Sequence, residues 1–128
     1  MLTFNLKETI NTHIMCVEIL RSVGLCIVEY FNDAKENNLV EDFDLNCWFG
    51  DDGCGLVIKP QHNETRRSIY EYPFGVSLYP RKESKVYCTM FFGAIKKEKE
   101  FDFKDECSLK IITMFAVLSD SLEEKLKT

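Results

Sequence analysis

His13 and His62 are the only imidazoles in this 128-residue chain, and they bound its acid–base chemistry. A hydrolytic triad needs a nucleophile, a base and an orienting acid. His13 falls between Ile10 and Cys16 in a run of helical period, where it reads as a helix-face residue. His62 falls in the polar stretch Gln61-His62-Asn63-Glu64, where a lone imidazole is a solvated side chain. An enzyme reading would have to assemble Cys54 or Cys88 with His62 across the fold, and a depressed thiol pKa would mark it.

Metal and phosphate chemistry find equally little footing. Zinc wants closely spaced Cys or His pairs, whereas Cys47 and Cys54 are separated by six residues and have no matching second pair. The glycines of Gly50-Asp51-Asp52-Gly53-Cys54-Gly55 precede a strand rather than a helix N-terminus. Their two carboxylates would repel a phosphate, so the stretch reads as a hairpin turn. Asp44, Asp51 and Asp52 lack the twelve-residue calcium-loop pattern. The sequence therefore predicts no catalytic set, no metal and no cofactor, and a protein that is not an enzyme.

What the chain does carry is concentrated acidity. Between Glu29 and Asp52 stand eight carboxylates (Glu29, Asp33, Glu36, Glu41, Asp42, Asp44, Asp51, Asp52) against the single cation Lys35, while the whole protein has a formal charge of only -5. The remainder is slightly positive, and such asymmetry bears on partners rather than on fold. Direct nucleic-acid binding is argued against by the overall charge. The local basic spots, Arg66-Arg67 and the lysines from Lys96 to Lys99, are not interleaved with aromatics as a stacking platform would be.

These residues have to be positioned by a single domain. The length suits one core, and 45% hydrophobic with 29% charged residues is the composition of a globular protein. The first residues lack the apolar run of a secretory signal, and no apolar stretch is long enough to span a bilayer, so no membrane association and a cytoplasmic setting are expected. In that compartment the six cysteines are expected to be thiols, most of them small buried hydrophobes.

Ile10, Ile14, Val17, Leu20, Val23, Ile27, Phe31 and Ala34 recur at steps of three and four, predicting a long helix from Leu6 to about Asn37. Asn5 and Glu8 resemble a capping box at its start, and Asn37-Asn38 supplies its stop. Ile19, Leu25, Cys26 and Val28 broaden the stripe, predicting central turns buried on most sides, with Gly24 allowing close packing. Asp42 to Phe49 then alternates strictly, and Cys54 to Lys59 follows as the second strand of a hairpin. Further strands are predicted from Arg66 to Tyr72, Val76 to Tyr79 and Lys85 to Phe92. Lys96 to Glu100 reads as a solvated tip, followed by a short strand at Phe101 and Phe103. A second helix runs from about Asp105 to Lys127, with acids in its first turn and Lys125 and Lys127 in its last. The expected fold is α+β: an antiparallel sheet of four to five strands, with the N- and C-terminal helices packed on one face.

The pleat then sorts the candidate binding residues. If Phe43, Leu45, Cys47 and Phe49 face the helices, Trp48 stands on the other face beside Asp42, Asp44 and Asn46. By the same parity Tyr87 and Phe91 join that face, with Tyr70 and Tyr72 as further candidates. Large aromatics among charges are what binding hot spots look like. The candidate surface is thus Glu41, Asp42, Asp44, Asn46, Trp48, Asp51, Asp52, Tyr87 and Phe91, expected to meet a basic protein. The same face could equally be core covered by a loop or a second copy.

In size, acidity and the Glu41 to Asp52 segment the chain resembles, at the level of a class, the immunity proteins that bacteria encode beside contact-dependent inhibition toxins and related polymorphic toxins. That resemblance implies tight binding to a cognate, often basic, toxin domain such as a nuclease, over its active site or beside it. Two other readings compete. A homodimeric adaptor or chaperone would use the aromatic sheet face for self-association. A nucleic-acid mimic that inhibits a defence complex would need acids spread over a longer surface than the mildly basic second half provides.

Overall fold

A computed structural model describes residues 6–61 and 68–127, with side chains from residue 12 onward in the first helix. The chain runs α1 (Leu6–Glu36), β1 (Asp42–Phe49), β2 (Cys54–Gln61), a short 3₁₀ turn (Ile69–Glu71), β3 (Phe74–Pro80), β4 (Lys85–Phe92), β5 (Ile95–Asp102) and α2 (Cys107–Leu126). The strands form one antiparallel meander in the order β1-β2-β3-β4-β5. Both helices pack on one face of it, α1 over β2 and β3, α2 over β4 and β5. The architecture is the α+β arrangement expected from the alternating and helical periods. No helix among the described residues is long and apolar enough to cross a membrane.

Sequence parity fills the core. From β2 come Cys54, Leu56 and Ile58; from β3 Phe74, Val76 and Leu78; from β4 Val86, Cys88, Met90 and Phe92, all within 3% of full burial. The helices meet them with Cys16, Leu20, Val23, Ile27 and Phe31 of α1 and Ile111, Phe115 and Leu118 of α2. Phe31 is the hub: its ring lies 5.4–6.3 Å from those of Phe43, Tyr70, Phe74 and Phe92. Gly24 does allow close approach, since a Cβ there would press on Leu56. Asn38 ends α1 in the left-handed region at φ 60°, and the Leu39 N–H donates to the Ala34 carbonyl.

Several expectations need correction. The predicted strand from Arg66 to Tyr72 is, over its described part, the 3₁₀ turn. Ser68 and Glu71 form a reciprocal capping box there that extended backbone could not make. Tyr70 and Tyr72 consequently do not reach the second sheet face but pack against the core. Lys96 to Glu100 is no solvated tip: it is the body of β5, whose charges suit an edge strand. In α1 the central turns are not buried on most sides, because only one flank meets the sheet and Leu25 is 67% exposed. In α2, Asp105 and Glu106 precede the helix rather than forming its first turn. The Asn5–Glu8 capping box, His62 and Arg66-Arg67 lie outside the described residues.

Candidate functional site

The helices stop short of one edge. Among the described residues β1 pairs only with β2, from Asp42↔Gln61 to Phe49↔Cys54, and overhangs the helical layer. Its inward-parity residues therefore divide. Phe43 tucks against Phe31, while Leu45 and Phe49 stay 45% and 65% exposed and Cys47 is exposed beside them. Their parity was as expected; their burial was not.

On the opposite face, which no element among the described residues covers, the pleat gathers a row of aromatics. Trp48 lies over Gly55, its cross-strand partner, where any side chain would occupy the indole's place: a Cβ at Gly55 would come 2.5 Å from Trp48 Nε1. The Trp48 ring is 6.0 Å from Tyr79, which is 6.4 Å from Tyr87. Arg81 covers the outer end, its guanidinium 5.8 Å from the Tyr79 ring and 5.1 Å from that of Tyr87. The Tyr87 hydroxyl donates to the Glu98 carboxylate, a bond that holds the phenol's pKa above its usual value. Phe91 lies flat on Gly75, its pairing partner across β3 and β4, in the same way. Two glycines thus let two rings lie down on the sheet as a ledge rather than stand out from it.

Charge frames this ledge unevenly. Asp42, Asp44 and Asn46 share its face on β1, and Asp51 and Asp52 are exposed at the β1–β2 turn beyond Trp48. That turn is tied to the helical layer by His13, whose Nε2 donates to the Asp51 carbonyl at 2.7 Å. Asp42 is engaged within the chain: Lys35 Nζ lies 3.0 Å from its carboxylate, which also accepts the Phe43 N–H, and both hold the carboxyl below the usual range. Glu98, Glu100 and Asp102 line the far edge on β5, and Lys59, Arg81, Lys85 and Lys96 stand between. Glu29, Asp33 and Glu36 recur at helical spacing on the exposed side of α1, so the acidic run divides between two layers of the molecule. Register places Asp42 and Asp44 on the sheet face, while Glu41 and Asp51-Asp52 are exposed at the two ends of β1.

Nucleophile chemistry points the other way. Burial pushes Cys54 up to about 11 and Cys88 up to about 12, opposite to the depression an activated thiolate requires. Cys16 and Cys107 are raised likewise, to about 12 and about 11, burial again the first cause. All six cysteines are free thiols, and among the described residues no three His, Cys, Asp or Glu side chains converge as a metal site would need.

Asn46, Trp48, Tyr87 and Phe91 thus share the face anticipated for them, with Asp42 and Asp44 beside them and Glu41, Asp51 and Asp52 at the two ends of β1. Tyr79 and Arg81 belong to the same surface and were missed. The alternation Phe74, Val76, Leu78 against Gly75, Ser77, Tyr79 was the available signal, but a strand begun at Val76 and cut at Tyr79 hid it. No family model, no curated protein and no solved structure matches this chain.

Proposed function

We propose that the protein acts by binding, and that its target is a basic protein which it neutralises, as an immunity protein neutralises a cognate toxin domain. The single observation that carries this reading is the aromatic ledge of Trp48, Tyr79 and Tyr87 on a sheet face that no described element covers, with Asp44 and the Asp51-Asp52 turn beside it. Trp48 sits over Gly55, and Phe91 beside the ledge sits over Gly75; rings held in this way are already ordered, so a partner that buries them loses little side-chain freedom in doing so. The acids supply long-range attraction and register toward lysine and arginine, while the rings supply the desolvated contact.

Inhibition would follow from occlusion: a ledge that covers the partner's cationic surface keeps its substrate away. The test is protection. A host that expresses the captured partner and is arrested by it should grow again when this protein is co-expressed. Co-expression of an Asp44→Lys, Trp48→Ala double variant should leave it arrested. Equal protection by both forms would reject this surface.

A further inference from the structure

The two edges of the sheet are built differently. On β5 the run Lys96-Lys97-Glu98-Lys99-Glu100 places a charge at every position, a guard against pairing with another strand. On β1 the run Leu45-Asn46-Cys47-Trp48-Phe49 carries none, contains no proline, and keeps an unbroken register with β2. Hydrogen bonding shows which groups point outward. The Gly50 N–H donates to the Gly53 carbonyl, so even-numbered positions face β2 and odd-numbered ones face away, as alternation in an antiparallel ladder requires. Phe43 agrees, since its N–H is taken by the Asp42 carboxylate rather than by β2. Among the described residues the free edge therefore consists of the backbone groups of Leu45, Cys47 and Phe49, the same three residues whose side chains lie exposed beyond the helices.

Resting on the binding function proposed above, we infer that β1 receives an extended, cationic segment of the partner as a sixth strand of the sheet. Such a segment places apolar side chains against Leu45, Cys47 and Phe49 on one face. On the other its lysines or arginines meet Asp44 and the acids at the two ends of β1. Charge selects this occupant over a second copy of the chain, which would bring its own Asp42, Asp44, Asp51 and Asp52 to the same edge.

The probe is a peptide of alternating lysine and valine matched to the 8 residues of β1, with its binding followed by Trp48 fluorescence at moderate salt. Two further forms carry N-methyl groups on alternate amides, one form on each edge of the extended peptide. One form should lose binding by at least about tenfold and the other retain it, because only one edge can face β1. Cys47→Pro, which removes an outward N–H that β2 does not use, should weaken the parent peptide similarly. Equal binding of both methylated forms would overturn strand addition while leaving a charge-driven contact, and with it the proposed function, intact. Absence of binding by the parent peptide would overturn strand addition too, and loss of a captured basic protein on Asp44→Lys would then still uphold the function. A dimer in sedimentation that Cys47→Pro dissociates would give the edge to a second copy and likewise overturn the inference.

Discussion

Four buried thiols make the fold sensitive to alkali. Cys16, Cys54, Cys88 and Cys107 are at most 4% exposed. Burial holds their protons up to about 12, 11, 12 and 11 respectively. In the unfolded chain a thiol ionises near pH 9.0. Below about pH 8 both states hold the proton and the thiols' contribution to stability is intact. Between there and pH 11 the native state binds more protons than the unfolded one, so stability falls as pH rises. At pH 9.5, about half a unit above the unfolded value, each thiol costs roughly 0.8 kcal/mol, and the four together about 3 kcal/mol. That is a large fraction of the stability of many domains of this size. Urea unfolding at pH 7.5 and 9.5 measures it directly. Cys88→Ala should reduce the pH dependence by about a quarter even though its cavity lowers stability at both values. A difference under about 2 kcal/mol between the two pH values would refute the reasoning.

The same thiols predict labelling behaviour: in the native protein at pH 8 a thiol reagent should modify Cys47 quickly and Cys26 more slowly, while the four buried cysteines react only in denaturant. Early modification of Cys88 in peptide mapping would contradict this. The 37% of Trp48 left exposed corresponds to roughly 90 Å² that a partner can bury, worth about 2 kcal/mol, so Trp48→Ala should raise the partner's Kd about 30-fold in calorimetry. An unchanged Kd would exclude the ledge from the contact. Gly75→Ala forces a Cβ into the Phe91 ring and should lower unfolding free energy by about 1–3 kcal/mol. Phe91→Ala in the same chain should relieve part of that loss, and strict additivity of the two would show that the rings do not lie on the glycines.

Much of this architecture was legible because its signals are local. Lys85 to Phe92 alternates without interruption and forms a strand at those bounds, and α1 follows its stripe from Leu6 to within a residue of the predicted end. The failures have one physical source each. Charge density at Lys96 to Glu100 masked a strand that needs those charges because it is an edge. The reciprocal bonds of Ser68 and Glu71 outweighed the β-propensity of Ile69 and Tyr70. The site was half legible: parity placed Trp48, Tyr87 and Phe91 on one face. Which neighbours share that face depends on register, which no single strand records, so Tyr79 and Arg81 went unseen. Exposure of Leu45 and Phe49 depends on where the helices end over the sheet, a property of packing between distant segments. The Lys35–Asp42 pair belongs to the same category, because it joins the last turn of α1 to β1.

The central claim is that Asp44 and Trp48 meet a basic protein. The measurement that tests it most directly is a paired pull-down from the native source lysate at moderate salt. Tagged wild-type protein is compared with the Asp44→Lys, Trp48→Ala variant, and everything retained is quantified by mass spectrometry. A basic protein enriched on the wild type and lost from the variant is the predicted result. Equal retention by both forms, or recovery of nothing but the protein itself, would contradict it.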